Sequence, residues 1–123
     1  MGEDTKKIDV IGRSDEAPLR SESDLSYRER LYDASDDSTE IGHAVGTFTQ
    51  SGDRAAGTVV LSLNGMAGYR RGQVIARGNL PVVDGELASG TLAIIAGNAY
   101  DRRHGGTLIV EIWNPKKYSQ SDP

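Results

Sequence analysis

Thirteen of the 15 glycines fall between Gly42 and Gly106, and they cut that stretch into short segments rich in Val, Ile, Leu and Thr. Segments of this length and composition, without a helical period, read as strands. The pattern predicts strands over 40–50, 57–64, 73–80, 86–96 and 106–113, with turns at 51–53, 64–72 and 83–85. Asp84-Gly85 is the firmest hairpin signal, because a tight two-residue turn needs positive φ. Two further strands fit the first third, at 6–11 and 28–33. Residues 12–26 mix charges without apolar spacing and read as flexible.

No amphipathic helix is convincing beyond the N-terminal third, so five to eight consecutive short strands must hide their backbone edges in a sandwich or a closed barrel. The last strand is informative because both of its faces carry apolar residues: Leu108, Val110 and Ile112 on one, Ile109 and Trp113 beside Thr107 and Glu111 on the other. Covering both faces calls for a barrel whose outer wall meets a second subunit, or for an arm folded back over it.

A length of 123 residues suits one domain, and the absence of cysteine excludes disulfide staples and cysteine-ligated zinc. The chain divides into an acidic N-terminal arm at 1–26 with room for one strand, a barrel domain at 27–114, and a polar tail at 115–123. Residues 1–40 hold 12 acids and 6 bases, whereas 41–123 hold 6 acids and 8 bases. Neither part has the concentrated positive stripe that nucleic acid requires, and the Arg70-Arg71 and Arg102-Arg103 pairs read as solvated loop charges. No apolar run approaches the roughly 18–20 residues that span a bilayer, and Met1–Asp9 lacks the features of a secretory signal, so a cytoplasmic location is expected. Lys6 stands where a myristoylation motif after Met1-Gly2 wants Ser or Thr.

The chemistry-bearing residues are few. His43 and His104 lack metal-ligand spacing, and no Gly-rich turn joins a strand to a helix, so neither metal nor cofactor is expected. Gly65–Gly72 lacks the Lys-Ser/Thr ending of a phosphate loop, and no nucleophile elbow or cysteine supports covalent catalysis. What remains suits a cavity: Phe48, Met66, Tyr69, Tyr100, Glu111 and Trp113, with Tyr27 and Tyr32 on the arm. Glu111 is a lone acid within Thr-Leu-Ile-Val-Glu-Ile-Trp, which either points to water or sits desolvated with a raised pKa as a proton donor. Trp113 either plugs a barrel end or stacks on a ligand, and Tyr100 lies on a loop suited to ligand contact or to solvent.

The run Leu92-Ala93-Ile94-Ile95-Ala96-Gly97-Asn98-Ala99-Tyr100, with Gly105-Gly106-Thr107 opening the last strand, resembles the signature of the dirigent and allene oxide cyclase-like barrel superfamily. Ile41-Gly42-His43-Ala44-Val45-Gly46-Thr47-Phe48 and Gln73-Val74-Ile75-Ala76-Arg77-Gly78 match its earlier strands in order. Leu31-Tyr32-Asp33 before Ile41-Gly42 is similar to the opening of small bacterial barrel cyclases of polyketide pathways, the spirotetronate-forming Diels–Alderases among them. Ala96 and Ala99 depart from family glycines, and Tyr100 comes one residue early.

The resemblance implies a single eight-stranded antiparallel β-barrel with a flexible arm or lid, binding an apolar polyketide-like intermediate and directing its ring closure without a cofactor. It implies that Gly105, Thr107, Ile109, Glu111 and Trp113 face inward, leaving Leu108, Val110 and Ile112 for a subunit contact in a homodimer or trimer. Hydrophobic alternation alone selects the opposite face. On the family's parity, Glu111 and Tyr100 are the expected catalytic pair, and Phe48, Met66, Tyr69, Ile109 and Trp113 the expected substrate contacts. Leu25, Tyr27, Leu31 and Tyr32 form the expected lid. The rival readings are a lipocalin-like or dirigent-like binding barrel without chemistry of its own, and an interaction barrel filled by its own side chains.

Overall fold

A computed structural model describes residues 7–113, and within them every regular element is a strand. The strands are β1 (Ile8–Arg13), β2 (Leu19–Ser21), β3 (Asp24–Asp33), β4 (Asp36–Ser51), β5 (Arg54–Leu63), β6 (Gly72–Val83), β7 (Glu86–Leu87), β8 (Gly90–Ala96) and β9 (Gly106–Glu111). The polar tail at 115–123 lies outside the described residues, as does Met1-Gly2. Among the described residues no helix is long and apolar enough to cross a membrane.

Seven strands close a barrel in the order β1-β9-β8-β6-β5-β4-β3, with β3 pairing back onto β1. The expected count of eight is therefore corrected to seven, with two short strands outside the ring. β7 pairs only with β6, and β2 adds three pairs to β3. The all-antiparallel expectation is corrected too, for a geometrical reason: a closed ring with an odd number of staves cannot alternate direction throughout. The mismatch falls on β1, which runs antiparallel to β3 and parallel to β9. The first strand of the arm is thus a stave of the barrel. The 86–96 segment splits into β7 and β8, and the 28–33 strand extends back to Asp24.

Period-two alternation assigns the faces. Val10, Phe48, Val59, Leu61, Val74, Ala76, Leu80, Leu108 and Val110 are wholly buried, and they come from β1, β4, β5, β6 and β9. Their outward neighbours are mostly polar or half-buried. The apolar face of β9 is therefore the inner one, and Leu108 and Val110 are unavailable for the expected subunit contact. The large apolar residues that do face outward include Val45 and Val60, cross-strand partners on β4 and β5.

Close strand approach relies on glycine at specific points. A Cβ on Gly57 would lie 2.2 Å from the Thr47 carbonyl oxygen and 2.7 Å from Phe48 Cα, both backbone atoms of the neighbouring strand. Phe48 takes that space and meets Tyr27 on the adjacent strand β3, ring centroids 5.8 Å apart. Gly57→Ala is expected to lose about 1–3 kcal/mol in urea unfolding, because β4 and β5 must separate to admit the methyl group. Unchanged stability would mean that the two strands do not pack this closely.

Candidate functional site

The inward row of β3 reads Leu25, Tyr27, Glu29, Leu31, Asp33, and it carries most of the barrel's buried polar chemistry. Among the described residues the buried polar or charged side chains outside the tyrosines are Ser14, Glu29 and Asp33, so the interior contains no buried cation. Asp33, at one end of the row, is satisfied. Its Oδ1 accepts from the Tyr69 hydroxyl at 2.6 Å and its Oδ2 from Ser35 Oγ at 2.8 Å. The Tyr69 hydroxyl also lies 3.0 Å from the Asp9 carbonyl oxygen and 3.3 Å from its nitrogen, which ties the β5–β6 loop to β1 and β3. Burial and then the Asp33 bond push the Tyr69 phenol above its ordinary pKa.

Glu29 and Tyr27 are different. Both carboxyl oxygens of Glu29 and the hydroxyl of Tyr27 are buried with no hydrogen-bond partner among the described residues. Each such atom costs about 1–3 kcal/mol relative to a paired one. Desolvation pushes the Glu29 carboxyl up to about 8, and burial, with a smaller contribution from the Glu29 charge, raises the Tyr27 phenol. The space they occupy is supplied by glycine on both flanking strands. A Cβ on Gly12 of β1 would lie 2.3 Å from Glu29 Cδ, and one on Gly46 of β4 would lie 2.7 Å from Tyr27 Cε1.

The wall beside this pair is interrupted. On the edge of β3 facing β1 and β2, residues 30–33 pair with β1 and residues 24–26 with β2, which leaves 27–29 without a ladder partner. β1 and β2 act as one broken strand, and the five residues 14–18 bow outward where three would suffice. An open groove of about 920 Å³ lies at this window. Asp15, Glu16 and Ala17 form one bank of it, the outward residues Arg28, Arg30, His43 and Val45 line much of the rest, and Tyr27, Glu29 and Ala44 border it from the buried side. The Asp15 carboxylate is held by Arg30 at 3.2 Å.

The residues expected to form the site are dispersed. Glu111 points outward and accepts from Arg13 Nε at 2.8 Å, in an exposed cluster where Arg13 also reaches Asp37 at 2.9 Å and lies 5.3 Å above the Tyr32 ring. Glu111 and Tyr32 thus clasp the seam where β1 meets β9 and β3, and neither faces the interior. The family parity for β9 is corrected accordingly: Ile109 lies on the outer face because Leu108 and Val110 hold the inner positions. Met66 is exposed at the loop tip, and Tyr100 is partly buried, packed against the core. Trp113 is 36% exposed, and its backbone N–H donates to Ser14 Oγ at 2.8 Å, which places it beside the window. Phe48, Tyr69, Tyr27 and Leu31 are buried, and the last two are barrel staves where a lid was expected. Glu29 was not among the expected site residues, although the alternation of Leu25, Tyr27, Leu31 and Asp33 around it marks it as inward.

Among the described residues no cluster of three or more His, Cys, Asp or Glu is arranged to hold a metal ion. Comparison of the chain with protein-family models, curated proteins and solved structures returned no match.

The Glu29 carboxyl gives a signed pH effect. Its folded-state pKa, about 8, exceeds the ordinary value of 4.5, so between those values the folded chain holds a proton that the unfolded chain releases. Stability therefore falls as pH rises from about 4.5 to about 8 and the loss is complete above that. Glu29→Gln removes this slope, leaving the variant ahead of the parent at pH 8.5, by on the order of a few kcal/mol, and nearly level with it at pH 4.5. Urea midpoints across that range measure the difference, and parallel profiles for the two proteins would show that the carboxyl is not desolvated.

Proposed function

We propose that the chain is a cofactor-free cyclase that holds an apolar, polyketide-like intermediate in one reactive conformer and directs its intramolecular ring closure, by cycloaddition or another cyclisation, in natural-product biosynthesis. The observation that carries this reading is the unpartnered Glu29 carboxyl in an apolar barrel interior, next to a wall window and a ligand-sized groove. A carboxyl with a pKa of about 8 is neutral near pH 7 and can donate a proton or a hydrogen bond where charge develops. Most of the acceleration would come from orientation, since a flexible linear precursor bound in a near-attack conformer has already lost its conformational freedom.

The order of motifs from Leu31 to Trp113 supports the allene oxide cyclase-like branch of barrel cyclases, with seven staves replacing the eight that the resemblance implies. In this reading the acid–base role passes from Glu111 to Glu29, while Trp113, beside the window, keeps its role of stacking on substrate. The protein would work in the cytoplasm as a homodimer or trimer, with Val60, outside the groove lining, offering outer apolar surface for the contact. A second reading, an interaction barrel filled by its own side chains, is favoured by the close-packed interior, where Phe48, Leu61 and Leu80 have no exposure.

Turnover decides between them. The purified chain is expected to close a linear diene–dienophile polyketide mimic faster than buffer does, and Glu29→Gln to lose about 10²-fold of that rate, the lower end of general acid–base contributions. A parent protein no faster than buffer would overturn the cyclase reading and leave the interaction barrel.

A further inference from the structure

We infer that Tyr27 and Glu29 together form a two-donor site for a carbonyl oxygen, so that the ligand of this barrel is a ketone or enone whose oxygen gains negative charge as it reacts. The inference rests on the ligand-binding part of the reading above and does not depend on turnover.

The polarity of the site follows from what is missing around it. The described interior offers these two groups no acceptor, no further donor and no cation, and their three polar atoms are left without partners. The titratable groups on the interior side are Tyr27, Glu29 and Asp33, with Tyr69 brought in by the β5–β6 loop. Asp33 is engaged with Tyr69 and Ser35 at the far end of the row. The strands flanking the pair present Gly12 and Gly46 to it, positions that carry no polar side chain.

In its neutral form Glu29 has one O–H to donate, and Tyr27 has another. The two stand on one face of β3, two residues apart, so their Cα atoms are separated by roughly 7 Å. A ligand oxygen brought between the two side chains would accept from both. A ligand ammonium would instead need an ionised Glu29 in an apolar surround and would leave the phenol proton unused. A hydrocarbon would leave all three atoms unsatisfied, as they stand without a ligand. Two buried donors aimed at one developing oxyanion form a preorganised electrostatic site, because they do not have to reorganise as charge appears.

The window sets the direction of approach. The unpaired stretch of β3 is residues 27–29, and both residues border the groove with their polar atoms buried behind its floor, so a ligand reaches them from that side. The carbonyl end of a ligand enters first, and its remainder lies in the groove beside Ala17, Leu19 and Val45.

Matched probes test this without any knowledge of the natural ligand. Binding of 2-acetylnaphthalene, 2-ethylnaphthalene and 2-(aminomethyl)naphthalene is measured by fluorescence, and the carbonyl stretch of the bound ketone by infrared difference spectroscopy. The parent is expected to bind the ketone about tenfold more tightly than the hydrocarbon, with the carbonyl band moved to lower wavenumber. Tyr27→Phe, which keeps the ring against Phe48, and Glu29→Leu should each remove most of that preference and most of the band shift, while Glu29→Gln, which retains a donor, keeps part of both. Equal affinity for ketone and hydrocarbon, tighter binding of the amine, an unshifted band or no binding of any probe to the parent overturns the inference. These parent measurements stand even if a variant fails to fold. A shifted ketone band in a protein that closes no ring upholds the donor site and refutes the cyclase, whereas ring closure with no preference for the ketone does the reverse.

Discussion

A ring of seven staves cannot alternate direction all the way round, and the barrel resolves this by seating β1 parallel to β9 and antiparallel to β3. Every interior feature depends on that placement. β1 brings Val10 into the core, sets Gly12 against Glu29, and provides the Asp9 backbone that meets Tyr69. Its last residue, Arg13, spans the seam on the outside, reaching Glu111 of β9 and Asp37 beside Tyr32. These are exposed ion pairs of small individual worth, and they secure a closure whose main strength is the buried apolar row and the ladder bonds.

The interior is divided between two kinds of packing. Most of it is aliphatic and close-fitting, with Phe48 filling the volume that Gly57 leaves and leucines from β5, β6 and β9 at zero exposure. Along β3 the same alternation places an acid and a phenol where a comparable barrel would put leucine or valine. Such a row lowers stability, and chains retain such groups chiefly where they serve a site. The contrast within the row is informative. Asp33 is engaged by Tyr69 and Ser35 and acts structurally, by fastening the β5–β6 loop, whereas the buried Glu29 carboxyl is committed to no hydrogen bond among the described residues.

Much of the architecture was legible in the residues. The glycines and the short branched-chain runs between them mark five of the staves to within a few residues, and Asp84-Gly85 does form a turn, with Asp84 at φ 54° and Gly85 at φ 79°. Hydrophobic alternation also chose the inner face of β9 correctly through Leu108 and Val110. The family parity pointed the other way because it was carried by position alone; with Leu108 and Val110 inside, Glu111 faces out, where it meets Arg13, a residue 98 positions earlier in the chain. The role of β1 could not be read locally, since six residues flanked by charge acquire their meaning only from pairing with β9 and β3. Glu29 was hidden for a related reason. Once residues 1–40 are weighed by net charge, a single glutamate among 12 acids carries no signal, and only the period-two apolar frame from Leu25 to Asp33 distinguishes it.

The bowed segment 14–18 has a consequence for how such a barrel can diversify. It contains two residues more than an unbroken strand would need opposite 27–29, and it lies at the wall, outside the close-packed aliphatic interior. Shortening it by two would let β1 run straight into β2 and seal the wall, while lengthening it would widen the aperture without moving a core side chain. Loop length at this one place is therefore a dial for ligand size that the chain can turn independently of its folding core.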